Sequence, residues 1–121
     1  MKQVTVNYES DGRMITIVVQ AATALLGMRR SRLIGEALRA TDDDADVRLW
    51  RLAYPDFVAA TVQVEGLDWP LPFEQFIALP DNLVGQWERA IYECNPHWRP
   101  QPVGEEADGA KKKSPTGSTS G

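Results

Sequence analysis

The sequence predicts an α+β domain: a short N-terminal β-hairpin packed on a compact bundle of about four helices, followed by a disordered polar tail. Three observations carry this. Two extended, β-branched runs flank an Asp-Gly pair near the start. Stretches rich in helix formers, with apolar residues at helical spacing, fill the middle. The final stretch, QPVGEEADGAKKKSPTGSTSG, holds almost nothing apolar and cannot offset its ordering entropy by burial. The folding unit is therefore residues 1–99, a single domain, with 100–121 as a disordered polar tail or linker.

Each element has its own signal. Val4 and Val6 alternate with Thr5 and Asn7, and Tyr8 closes a first strand. Met14 to Val19 reads as a second, more buried strand, and Asp11-Gly12 between them is a strong hairpin turn. A hairpin alone is marginal, so it must pack on the helical part of the chain. From Ala21 to Ala40 no proline occurs, and Leu26, Leu33, Ile34, Ala37 and Leu38 form an apolar stripe, with Arg29, Arg32, Glu36 and Arg39 on another face. Thr41 reads as the cap of the next helix, with Asp44 three residues on. That helix carries Val47, Trp50, Tyr54, Phe57, Val58 and Thr61, and Pro55 predicts a bend or two short helices meeting. The alternation in Thr61–Val64 leaves a third strand open as an alternative to the helix end. Pro72 suits the first turn of a short helix, Phe73 to Ala78. Pro80 then opens a helix from Asp81 to about Cys94, with Leu83, Val84, Trp87, Ala90, Ile91 and Cys94 on one face.

Bulk properties narrow the function. The formal charge is -4, which gives no general reason to expect nucleic acid as a partner. A single cysteine excludes an intramolecular disulfide framework. No apolar run is long enough for a membrane span, and the start lacks the features of a signal peptide, so a cytoplasmic, membrane-free protein is expected. Phosphate loops, carboxylate pairs and a Ser-His-Asp set do not stand out; neither an enzyme nor a cofactor is expected.

The residues with chemistry to offer are few. Cys94 and His97 are the only cysteine and histidine, short of the ligands a zinc site needs and without an obvious orienting group for a nucleophile. Cys94 is expected to pack, Asn95-Pro96 to stop the helix, and Trp98 to fold back onto the core. Arg29, Arg30 and Arg32, joined by Arg39 and Arg51, form a small basic patch followed in sequence by an acidic run, Asp42, Asp43, Asp44 and Asp46. Local pairing on a solvated face is the simplest explanation, with a protein-binding surface next and nucleic acid last. That run lacks the alternation, glycine and terminal glutamate of a calcium loop. Among the aromatic residues, Trp69 in a proline-bracketed loop and Tyr92, off the stripe of the last helix, are the candidates for an exposed contact surface, although Trp69 would equally serve to roof the core.

One block of the chain resembles a known family. Phe73-Glu74-Gln75-Phe76-Ile77-Ala78-Leu79-Pro80, followed by Leu83, Trp87, Ala90, Tyr92 and Asn95-Pro96-His97-Trp98, is similar to a block in small tail assembly chaperones of long-tailed bacteriophages and prophages. It covers about a quarter of the chain, and its motifs mostly record packing. The resemblance implies a non-enzymatic protein that binds the tape-measure protein and tail-tube protein before the tail polymerises. It also implies a longer, frameshifted form of the chain, for which Lys111-Lys112-Lys113 would be the slippery region. On that reading Trp69, Phe73, Phe76, Tyr92 and Trp98 would form the protein-binding groove, with Arg29 and Arg32 tuning register. Two alternatives stay open on the residues alone. One is a small phage or mobile-element regulatory or inhibitory protein binding a host protein or nucleic acid; the other is a minor structural tail component.

Overall fold

The computed structural model describes residues 1–99. The tail expected over 100–121, with Lys111, Lys112 and Lys113, lies outside the described residues. Strands β1 (Gln3–Ser10) and β2 (Arg13–Gln20) pair antiparallel along their whole length, from Gln3 opposite Gln20 to Ser10 opposite Arg13. The loop is Asp11-Gly12, both residues left-handed at φ 54° and 77°, a two-residue turn whose twist matches the strands.

The hairpin grows into a three-stranded sheet, order β1-β2-β3, because β3 (Thr61–Glu65) pairs antiparallel with the other edge of β2. Thr61 therefore belongs to a strand and not to the helical stripe of the sequence reading. The β-branched residues of Thr61–Val64 meet the unpaired backbone of β2, and that pairing decides the ambiguity. The register shifts between Val18, opposite Gln63, and Val19, opposite Thr61, which leaves Val62 as the extra residue of a bulge, 45% exposed. Gly66 comes next at φ 86°, where an added Cβ would lie 2.3 Å from the Met14 carbonyl oxygen. One sheet face carries Val6, Ile17 and Val19, all buried, with Val4, Tyr8, Ile15 and Val64 partly covered. The other shows Thr5, Asn7, Thr16, Gln63 and Glu65 to solvent or near it.

Helix α1 (Ala24–Leu38) starts at Thr23, whose hydroxyl accepts from the Leu26 amide at 3.3 Å. Helix α2 (Ala45–Ala60) is capped by Asp44, which accepts from the amides of Asp46 and Val47, and not by Thr41. A carboxylate at the positive helix end does both the capping and the charge work there. Pro55 sits buried inside one continuous α2; core packing of Phe57, Ala59 and Ala60 just beyond it holds the helix through the single missing amide. Helix α3 (Phe73–Phe76) and helix α4 (Asp81–Cys94) each follow a proline, Pro72 and Pro80.

Helix α4 lies across β1, β2 and α2. Its stripe of Leu83, Val84, Trp87, Ala90, Ile91 and Cys94 is buried throughout, and Trp87 at its centre donates its indole N–H to the Thr61 hydroxyl at 2.9 Å. Asn95, buried, ends the helix and fastens it to the sheet. Its Oδ1 accepts from the Ala22 amide at 2.8 Å, and its Nδ2 donates to the Gln20 and Ile91 carbonyls. A short 3₁₀ turn over Pro96–Trp98 tucks Trp98 back into the core. Among the described residues, no helix is long and apolar enough to cross a membrane.

Candidate functional surface

The aromatic residues assigned to a binding groove form the core instead. Phe76 is fully enclosed, with its ring centroid 4.8 Å from Phe57 and 5.1 Å from Tyr54. Phe73 is buried beneath Arg51, whose guanidinium carbon stands 4.2 Å above its ring. Trp69 is half-buried and roofs the core, 4.7 Å from Trp87 and 6.3 Å from Phe76. Tyr54 leans under the same loop and donates its hydroxyl to the Leu71 carbonyl; burial pushes its phenol above the usual range. The short helix α3 is too small to bury its own rings by itself, so Phe76 plugs the space between α2 and α4 while Phe73 packs on Tyr54 and Arg51 of α2.

Tyr92 corrects the sequence reading in the same direction, and Trp98 folds back onto the core as its position after Asn95-Pro96 leads one to expect, which takes it out of the groove as well. Tyr92 lies off the α4 stripe yet is only 6% exposed, because its hydroxyl donates at 2.7 Å to Asp56, a carboxylate that α2 brings to meet it. Arg30 of α1 donates to the other oxygen of Asp56, and its guanidinium carbon stands 4.6 Å over the Trp98 ring. Asp56 is itself 3% exposed, so α1, α2 and α4 converge on one buried carboxylate. Burial and the Asp56 hydrogen bond push the Tyr92 phenol far above its usual range. Burial, with repulsion from Asp56, also raises the Glu88 carboxyl nearby. Sequence reading misses Asp56; the available signal is an acid set directly between Pro55 and Phe57 in an apolar stretch.

Cys94 and His97 do not come together as a pair. Cys94 is buried with its sulfur 4.0 Å from the Val19 carbonyl oxygen, and burial raises its thiol, whereas His97 is exposed. The acidic run divides into local tasks. Asp44 caps α2, and Asp42 takes Arg51 at 2.5 and 3.1 Å, a hydrogen-bonded pair that holds the Asp42 carboxyl below its usual range. Arg48 donates to the backbone carbonyls of Asp42 and Asp43. Among the described residues, no three His, Cys, Asp or Glu side chains are grouped so as to hold a metal ion.

What the surface does offer lies on the α1–α2 hairpin. Helix α1 packs chiefly on α2 and contains no buried residue. Leu25, Met28, Leu38 and Leu49 are 63%, 71%, 68% and 66% exposed, and Leu52 is exposed as well. Leu38, on the inner stripe of α1 by its spacing, is nonetheless exposed at the last turn of the helix. Leu25 and Met28 share a shallow groove with Arg29 and Arg32, while Leu38 and Leu52 line a second cleft near Arg48 and Arg51. Helical spacing signals the first group: positions 25, 28, 29 and 32 fall on one face, about a third of a turn round from the inward Leu26, Arg30, Leu33 and Ala37. A further cleft, about 140 Å³, lies between Trp50, Ile77, Leu79, Asp81 and Val84.

Comparison with protein-family models, with curated proteins and with solved structures returns no match to this chain.

Proposed function

We propose that this chain is a non-enzymatic assembly chaperone of the phage-tail kind, which in the host bacterial cytoplasm covers the tape-measure and tail-tube proteins before the tail polymerises. The observation that supports it is the α1–α2 hairpin, an apolar helical surface displayed by an otherwise well-packed small domain. Apolar side chains standing singly on a surface need no explanation, but here Leu25 with Met28, and Leu38 with Leu52, line two clefts on adjacent helices. Unbranched Met28 adapts to irregular partners. Many weak copies of such a surface along one long helical chain would bind it by multivalency. The aromatic residues then serve as scaffold, and the binding role moves from Trp69, Phe73, Phe76, Tyr92 and Trp98 to the helix pair, with Arg29 and Arg32 keeping their place beside it.

The test is an affinity capture of the full chain, tagged at its N-terminus and expressed with its neighbouring genes, with mass spectrometry of the bound proteins. The expected result is a long tape-measure chain with tube subunits, both lost in a Leu25→Glu/Met28→Glu variant. Capture of one unrelated host protein or of nucleic acid overturns the reading in favour of a regulatory role.

A further inference from the structure

We propose that the outward face of α1 is a seat for an acidic amphipathic helix. The apolar part of the seat is Leu25 and Met28; Arg29 and Arg32, one turn apart, complete the same stripe. Of the arginines on α1, Arg30 alone turns inward and is paired with Asp56. Arg32 reaches only Glu36, at 4.0 Å, with both side chains more than half exposed. Arg29 and Arg39 make no ion pair among the described residues. The outer face of α1 thus sets Arg29, Arg32 and Arg39 against Glu36 alone, an island of positive charge on a chain whose formal charge is -4.

That charge selects the occupant. A partner helix that lays an apolar stripe over Leu25 and Met28 brings its flanking residues to Arg29 and Arg32, and only Asp or Glu there lets the guanidinium groups keep a counter-charge as water leaves. A second copy of this chain fits badly. A two-fold contact through α1 repeats every pairing, so it sets these arginines against the same arginine-rich face. Nucleic acid would satisfy the arginines but leave Leu25 and Met28 without an apolar counterpart, and α1 carries no aromatic residue for stacking. The inference deepens the reading above and rests on its protein-binding part, not on the phage identity of the partner.

The experiment uses the full chain, ¹⁵N-labelled, titrated by NMR with two synthetic helical peptides that share one Leu/Met stripe and differ only in flanking residues, Glu in one and Lys in the other. The Glu-flanked peptide is expected to move the amide signals of α1 around Leu25–Arg32, to bind more tightly than the Lys-flanked one, and to weaken as salt rises. An Arg29→Glu/Arg32→Glu variant should lose about tenfold in affinity for the Glu-flanked peptide and reverse the preference. Both side chains are exposed, so the variant keeps its fold, which the unchanged signals of α4 would report. Equal affinity for both peptides, shifts on another face, binding of an oligo-dT probe in place of the peptides, or self-association through α1 without peptide each overturns the proposal. If the tail-protein capture fails while the Glu-flanked peptide still seats on α1, the phage reading falls and this inference stands.

Discussion

Replacing Arg30 with methionine tests the claim that α1 is held to the domain by a buried carboxylate. Methionine keeps a long apolar stem over Trp98 but removes the donor to Asp56, leaving that carboxylate with Tyr92 alone, 2.7 Å away. The Asp56 side chain is 4% exposed and that of Arg30 22%. Stranding a buried charge by deleting its partner costs about 3–5 kcal/mol. Water can reach the vacated Arg30 position, so Arg30→Met should sit near the low end, about 3 kcal/mol. In a domain of this size that is a fall in Tm of about 12–24 °C. Urea unfolding followed by tryptophan fluorescence reads the change, and hydrogen exchange should show α1 losing protection before α4. Adding Asp56→Asn to Arg30→Met should recover part of the stability, because no charge is then left stranded and the amide oxygen still accepts from the Tyr92 hydroxyl. A single-variant cost below about 1 kcal/mol would put the pair in the class of surface ion pairs. So would a double variant less stable than Arg30→Met alone, and either result would refute the reasoning.

Gly66→Ala and Gly12→Ala form a matched pair: both residues have positive φ, but only at Gly66 does the new Cβ meet backbone, the Met14 carbonyl oxygen. Gly12→Ala should cost about 1 kcal/mol and Gly66→Ala at least about twice that, by denaturant melts; equal costs would remove the steric argument. The folded chain holds the Glu88 proton more tightly than the unfolded chain does, so Glu88 subtracts stability as pH rises above its ordinary value of 4.5. Glu88→Gln should therefore melt higher than the parent at pH 7, by less than about 1 kcal/mol in stability, and no higher at pH 4. Iodoacetamide should alkylate Cys94 at least about tenfold more slowly in the folded protein than in urea, read by mass spectrometry, since burial hides the sulfur and raises its thiol.

Local signals in this sequence are legible where one element alone decides the outcome. Asp11-Gly12 fixes its hairpin by backbone freedom, and the α4 stripe around Trp87 repeats often enough to name its buried side. Thr61–Val64 is ambiguous because its state depends on the free edge of β2, far away in sequence. Tyr92 misleads for a similar reason: its angle on α4 points off the apolar stripe, and only α2, by supplying Asp56, turns that direction into an inward one. Large rings mark interfaces, which draws attention to the aromatic residues as a binding surface, but a small domain with few large side chains spends them on its core. Leu25 and Met28 escape notice because the inner stripe of α1 already accounts for the helix.

The Asn95 latch bears on the order in which the chain can fold. It ties the end of β2 and Ala22 to the last turn of α4, across 75 and 73 positions of sequence. The inner face of the hairpin, Val6, Ile17 and Val19, is covered by a helix from the other end of the described chain. A growing polypeptide therefore displays that face uncovered until α4 has been made, and closure waits on a long-range encounter of the kind that slows folding. A nascent chain arrested before Asp81 would hold a hairpin and an α1–α2 pair with no lid, which is a substrate for the cell's own folding factors and not a smaller version of this domain.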